Sequence, residues 1–96
     1  MSYRVLLHPD ADDFLTSLDS KSERICRDNL AVLEAHPYPG RGPGDKEGLV
    51  IDGDDRYRLH ISRSYTAFYD IYESKDEVRV TEILPIDEAH KRYGFF

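Results

Sequence analysis

Hydrophobic positions recur at helical spacing in the first third of the chain. A segment rich in β-forming residues, 3–8, predicts a strand before them. Pro9 fits the first position of a helix, and acidic residues suit its positively charged end. The apolar positions that define the buried face of this first helix are Ala11, Phe14, Leu15 and Leu18.

A second helix is predicted from Lys21 to about Ala35. Ser20 and Glu23 have the spacing of a capping box, in which each side chain bonds a free backbone N–H at the helix start. The two helices follow each other closely, so they are expected to form an αα-hairpin. The buried stripe expected on the second helix consists of Ile25, Cys26, Leu30 and Leu33.

The second half of the chain changes to the alternation of apolar and polar residues that is typical of strands. Residues 36–45 include three Pro and three Gly, which predict a connecting loop. Four strands separated by short polar turns are predicted after it, at 46–51, 56–62, 64–73 and 77–86. The last segment begins as a helical turn.

This order of elements predicts an α+β fold in one domain, residues 1–96: an N-terminal strand, an αα-hairpin, then an antiparallel β-meander with the helices packed on one face. On the strand 56–62, Tyr57, Leu59 and Ile61 point to one side. Because the helices cover that apolar side, the other side is expected to be open. We refer to this second side, which carries Arg56, Arg58 and His60, as the cation face.

The charge of the chain is unevenly distributed. The formal net charge is -6, yet residues 56–66 sum to +3 and residues 89–96 to +2, and neither block contains an acid. The overall charge disfavours nucleic-acid binding, whereas these two blocks favour it locally. Two structural interpretations remain open: a solvated strand face paired with nearby acids, and a positively charged helix end.

Other chemistries have little support in the sequence. The single cysteine, Cys26, excludes an internal disulfide, and with four scattered His it gives no metal-ligand spacing. We therefore expect no metal and no cofactor. No signal-peptide pattern and no stretch of roughly 20 apolar residues is present, so we expect a cytoplasmic protein without membrane contact.

The segment "DGDDRYRLHISRSYTAFYDIYE", together with the αα-hairpin and the Pro/Gly loop ending in "DKEGL", resembles the RelE/ParE superfamily of toxins. The resemblance covers nearly the whole chain. Its RelE branch implies a ribosome-dependent mRNA endonuclease that a cognate antitoxin inhibits and that is monomeric or dimeric when free. A ParE-like toxin that poisons gyrase, or a degenerate member that only binds an antitoxin, is the alternative.

By this resemblance, the two acid-free blocks form one site. Arg58 and Arg63 would contact the scissile phosphate, His60 and His90 would transfer protons, and Tyr93 would stack on a base. Further RNA contacts are expected from Lys46, Arg56, Lys91 and Arg92.

The chain also departs from the family pattern. Tyr65 is followed by Thr66 where the family often has Arg, and Asp87 and Glu88 follow the last strand where another Arg is usual. Most such toxins are basic, whereas this chain is acidic, which disfavours RNA binding.

Overall fold

A five-stranded mixed sheet organises the chain. The computed structural model describes residues 2–40 and 42–93. The strands are β1 (Arg4–Leu7), β2 (Asp45–Ile51), β3 (Asp54–Ile61), β4 (Tyr65–Tyr72) and β5 (Glu77–Pro85). Their order across the sheet is β1-β5-β4-β3-β2. Strands β2 to β5 form the predicted antiparallel meander, and β1 pairs with β5 in parallel.

The predicted αα-hairpin is present, with different ends. Helix α1 (Pro9–Thr16) begins at the predicted proline, and the His8 ring nitrogen Nδ1 accepts the Asp10 N–H at 3.1 Å. Helix α2 (Ser20–Ala31) is capped by Asp19, whose carboxylate accepts the Ser22 N–H at 3.1 Å. The predicted capping box was therefore wrong by one residue, because a carboxylate one position earlier makes the cap. A 3₁₀ turn follows α2 at Val32–Glu34.

The main core lies between the αα-hairpin and one face of the sheet. Its fully buried side chains come from both helices, from the 3₁₀ turn and from β3, β4 and β5, and they include Leu15, Cys26, Leu33, Leu59, Tyr69 and Val80. Cys26 is a buried core residue, as the helical stripe predicted. The prediction for Ile25 was wrong, because its side chain remains 36% exposed on the outer side of α2.

A third helix changes the expected open face. Helix α3 (Ile86–Tyr93) continues directly from β5, and its Ala89 is fully buried against Phe68 and Leu84. These two side chains alternate onto the cation face, so that face also carries an apolar cluster. The expectation of a wholly open cation face was therefore wrong where α3 packs. The predicted α+β architecture is confirmed.

The β2–β3 turn sets the register of the cation face. Asp52 and Gly53 both have positive φ, at 52° and 83°, which matches the two-residue hairpin turn that the polar "DGDD" run predicts. No helix within residues 2–40 and 42–93 has the length and apolarity needed to cross a membrane.

Candidate nucleic-acid interface

The register of β2, β3 and β4 places the side chains of the cation face next to one another. Arg58 lies opposite Glu47 on β2 and opposite Phe68 on β4. His60, two residues along the same strand and on the same face, lies opposite Thr66. The centre of the face therefore combines a guanidinium, an imidazole and a carboxylate beside the apolar cluster under α3.

The cations of the face are paired with carboxylates. Arg58 is only 3% exposed, and its guanidinium Nη2 donates to Oε2 of Glu47, whose side chain is 48% exposed. Arg56 lies 3.8 Å from a carboxylate oxygen of Asp70 on β4. The interpretation of a solvated strand face that pairs with nearby acids therefore holds for Arg56, whereas Arg58 is paired but buried. The ion pairs hold the two guanidinium groups in place, and both groups remain on the cation face.

His60 contacts the residue that stands where the family often has Arg. The imidazole nitrogen Nδ1 lies 3.4 Å from the Thr66 hydroxyl, and Thr66 is fully buried. A long cationic side chain at this position would have to extend out of the buried environment that Thr66 occupies. The departure from the family pattern thus coincides with a small residue that packs beside His60.

Helix α3 brings the second acid-free block to the same end of the sheet. The Ile86 N–H donates to the Ser64 carbonyl at 2.9 Å, which ties the start of α3 to the turn that carries the exposed Arg63. His90 and Lys91 follow the buried Ala89 and are exposed. Arg92 and Tyr93 belong to α3, but their side chains lie outside the described part of the structure.

Lys46 does not share this face. Its neighbour Glu47 faces Arg58, so strand alternation turns Lys46 towards the helices, where it is 7% exposed. Its ammonium donates to the His36 carbonyl at 2.5 Å, and burial lowers the pKa of the amine. The geometry places this predicted RNA contact in a structural role that fixes the loop after α2.

Three acids on the cation face were missed by the sequence analysis: Glu47, Asp70 and Glu82, the last of which lies opposite Phe68. The signal for Glu47 was available in the sequence. A two-residue turn at Asp52–Gly53 pairs Ile51 with Asp54, and counting back along both strands pairs Glu47 with Arg58. Within residues 2–40 and 42–93, no group of His, Cys, Asp and Glu has a geometry that could hold a metal ion.

Comparison with solved structures identifies the fold. The chain matches a chain of the archaeal RelE–RelB complex from Pyrococcus horikoshii OT3 at 28% identity and a TM-score of 0.73, covering 88% of this chain and 96% of that one. The RelBE2 toxin–antitoxin complex of Mycobacterium tuberculosis gives the same TM-score at 14% identity, covering 88% and 92%. This chain has the RelE toxin fold.

A third match extends the RelE likeness to a free toxin. A mutant of E. coli RelE in the free state matches with a TM-score of 0.62 and 16% identity, covering 97% of this chain and 93% of that one. No protein-family model and no curated protein sequence matches the chain. The RelE resemblance seen in the sequence is thus confirmed at the level of the fold.

Proposed function

We propose that this RelE-like chain is the toxin of a toxin–antitoxin system and that it inhibits translation by cleaving mRNA on the ribosome. Similarity of the fold to RelE supports the toxin assignment. The observation that carries the nuclease assignment is the position of Arg58 and His60, side by side on the face that α3 borders.

The proposed chemistry is transesterification by the RNA itself. The 2′-hydroxyl loses its proton and its oxygen forms a bond to the adjacent phosphorus. The bond from phosphorus to the 5′-oxygen then breaks, and that oxygen takes up a proton, leaving a 2′,3′-cyclic phosphate and a 5′-hydroxyl. This reaction needs a base, an acid and a cation for the negative charge on the phosphorane.

Arg58 is the proposed cation for the phosphorane. A guanidinium matches two phosphate oxygens as well as it matches a carboxylate, so the phosphate would replace Glu47 on Arg58. Since Glu47 is 48% exposed, its carboxylate has room to turn towards solvent. Arg63, in the turn next to α3, would supply a second phosphate contact, and Arg56, Lys91 and Arg92 would bind the RNA backbone.

Two side chains beside Arg58 are able to accept the 2′-hydroxyl proton. His60 has an imidazole, a group that can accept and donate a proton, and the Glu47 carboxylate lies next to the phosphate position. His90, exposed on α3, is the proposed proton donor to the 5′-oxygen, and Tyr93 the stacking surface for a base.

The proposed partner is a cognate antitoxin. Two of the matched structures are complexes of a toxin with its antitoxin, which supports such a partner here. Because the site would act on ribosome-bound mRNA, we propose that the protein works in the cytoplasm. An antitoxin that covers α3 or the cation face would block RNA access to Arg58.

Cleavage on programmed ribosomes tests this function. Purified protein is incubated with ribosomes and a defined mRNA over a series of salt concentrations, and the new 5′ ends are mapped by primer extension. We expect cuts only when ribosomes are present. Arg58→Ala and His90→Ala should each reduce cutting by at least about 100-fold, and the double variant should abolish it.

The matched control is Arg24→Ala, which removes an exposed arginine from α2 on the other side of the sheet. It should cut normally. Intact mRNA with the unsubstituted protein at every salt concentration would reject the nuclease proposal, as would equal cutting by the double variant.

The pairing of the cations supports a second candidate. Arg56 and Arg58 both contact carboxylates, and Thr66 supplies no charge, which favours a member that acts by binding alone. Such a protein would inhibit growth through gyrase, or would only capture an antitoxin. Inhibition of gyrase supercoiling with intact mRNA would select the first of these, and antitoxin capture without either activity the second.

A further inference from the structure

A surface cavity lies at the end of the sheet opposite to α3. Its volume is about 450 Å³, and its walls come from the segment before β1, the loop that follows the 3₁₀ turn after α2, and the β4–β5 turn. The side chains that determine its chemistry are Tyr3, Tyr38, Glu73 and Asp76. None of these four residues has a role in the proposed nuclease chemistry.

The walls of the cavity are held by backbone hydrogen bonds. The Tyr3 N–H donates to the Glu34 carbonyl at 2.7 Å, and the Arg4 N–H donates to the Asp76 carbonyl at 2.8 Å. The Pro37 carbonyl accepts the buried Tyr69 hydroxyl at 2.7 Å, which fixes the loop that carries Tyr38. The cavity is thus preformed by three segments that are fixed to one another.

The cavity combines aromatic rings with negative charge. Tyr3 donates its hydroxyl to the Glu73 carboxylate, and this bond raises the pKa of Tyr3 to about 12. Burial, with a smaller contribution from the charge of Glu73, raises the pKa of Tyr38. Asp76 adds a second carboxylate and His36 adds an imidazole, and no Lys or Arg is among the described residues of the lining.

We propose that this cavity binds the side chain of an arginine that a partner protein presents. A guanidinium offers planar donors that match carboxylates and a flat face that stacks on tyrosine, and both features are present here. Phosphates and nucleic acids would be repelled by Glu73 and Asp76. A metal ion is disfavoured because the described residues of the lining belong to no group of three or more His, Cys, Asp and Glu that could hold one.

The site is independent of the proposed nuclease. The β4–β5 turn and α3 lie at opposite ends of β5, whose nine residues span about 30 Å. A substitution in the cavity should therefore leave RNA cleavage unchanged. If the chain proved not to cleave RNA, the proposed arginine binding would not be affected.

Titration of the isotope-labelled chain with N-acetyl-arginine methylamide tests the proposal. Backbone amide NMR signals of Tyr3, Tyr38 and residues 73–76 should shift in a saturable way. The citrulline analogue, which has the same shape without the charge, should cause no such shifts. Glu73→Gln should weaken arginine binding about tenfold, because it removes one charge-assisted bond.

Two further variants sharpen the test. Tyr3→Phe keeps the ring but frees the Glu73 oxygen, so arginine binding should persist or become tighter. Glu88→Gln, an exposed acid on α3, removes the same charge at the far end and should bind like the parent chain. Absent or scattered shifts, or equal shifts with citrulline, would overturn the proposal. Tighter binding of the lysine analogue or of spermidine would overturn the assignment to arginine.

Discussion

Arg58 and Glu47 face each other across β3 and β2 and form an ion pair in which the guanidinium is buried and the carboxylate is half exposed. The pair holds the Arg58 guanidinium in place on the cation face, and the Glu47 carboxylate offsets its positive charge. The same pair also puts a negative charge at the position where a phosphate would have to bind.

Replacing this carboxylate should strengthen RNA binding. Glu47→Gln keeps the shape of the side chain and removes a charge next to the phosphate position. We expect the variant to bind a 2′-O-methyl RNA, which cannot be cleaved, on the order of fivefold more tightly in about 0.1 M salt. The difference should narrow at higher salt. Fluorescence anisotropy measures the affinity of the variant and of the parent chain for the RNA at each salt concentration.

Asp28→Asn is the control for this measurement, because Asp28 is an exposed acid on α2, away from the cation face. This substitution changes the net charge of the chain by the same amount as Glu47→Gln, and it should leave the affinity for RNA nearly unchanged. Equal tightening by both variants would mean that overall charge, rather than the Arg58–Glu47 pair, governs RNA binding.

Thr66 is expected to position His60. Thr66→Val keeps the shape of the side chain and removes the hydroxyl that lies 3.4 Å from Nδ1 of His60. We expect kcat for ribosome-dependent cleavage to fall about threefold to tenfold with KM unchanged, because the imidazole is less well oriented.

Thr66→Ser serves as the rescue variant, because it removes the methyl group but keeps the hydroxyl. It should retain most of the activity. Equal rates for Thr66→Val and the parent chain would show that the hydroxyl does not position His60.

The sequence predicted the architecture because the two halves of the chain have different hydrophobic periods. Helical spacing gave the αα-hairpin, and strict alternation on β3 gave the two faces of the sheet. The parallel pairing of β1 with β5 was not predicted, because the pattern of a four-residue strand is too short to indicate which strand it pairs with.

The candidate site was predicted less completely. Alternation located Arg58 and His60 on one face, but burial of Arg58 depends on residues from other strands. The docking of α3 was missed because Phe68 lies on a strand, β4, that is buried on both faces. Buried residues on both sides leave no polar alternation to show which face a further helix covers.

Glu77 should make the stability of the chain depend on pH. Arg79 hydrogen-bonds the carboxylate at 2.9 Å, Arg4 pairs with it at 2.6 Å, and together they lower the pKa of Glu77 below its ordinary value. A lowered folded-state pKa stabilises the fold above the ordinary value, and this stabilisation is lost as the pH falls through the lowered value. We therefore expect Glu77→Gln to destabilise the chain at pH 7 and to have a smaller effect in acid.

Urea unfolding of the two proteins from pH 7 to pH 2.5 measures this difference. The gap in the free energy of unfolding should stay constant near neutrality and close at low pH. Glu34→Gln, at an exposed acid in the 3₁₀ turn, should show no such closing gap. A gap that is the same at every pH would rule out a contribution from the ionised Glu77.

Ala89 should determine whether α3 stays on the sheet. It is fully buried against Phe68 and Leu84, so Ala89→Glu would place an unpaired carboxylate in an apolar cluster. We expect α3 to open at least about 30-fold more often, since even a neutral polar group without a partner costs about 2 kcal/mol when it is buried, and a carboxylate costs more. Amide hydrogen exchange of residues 86–93 measures this, and exchange in the main core should change less. Glu88→Ala, exposed on the same helix, is the control. If exchange in α3 were the same in both variants, Ala89 would not be the contact that holds the helix on the sheet, and the proposed role of His90 as proton donor would lose its structural support.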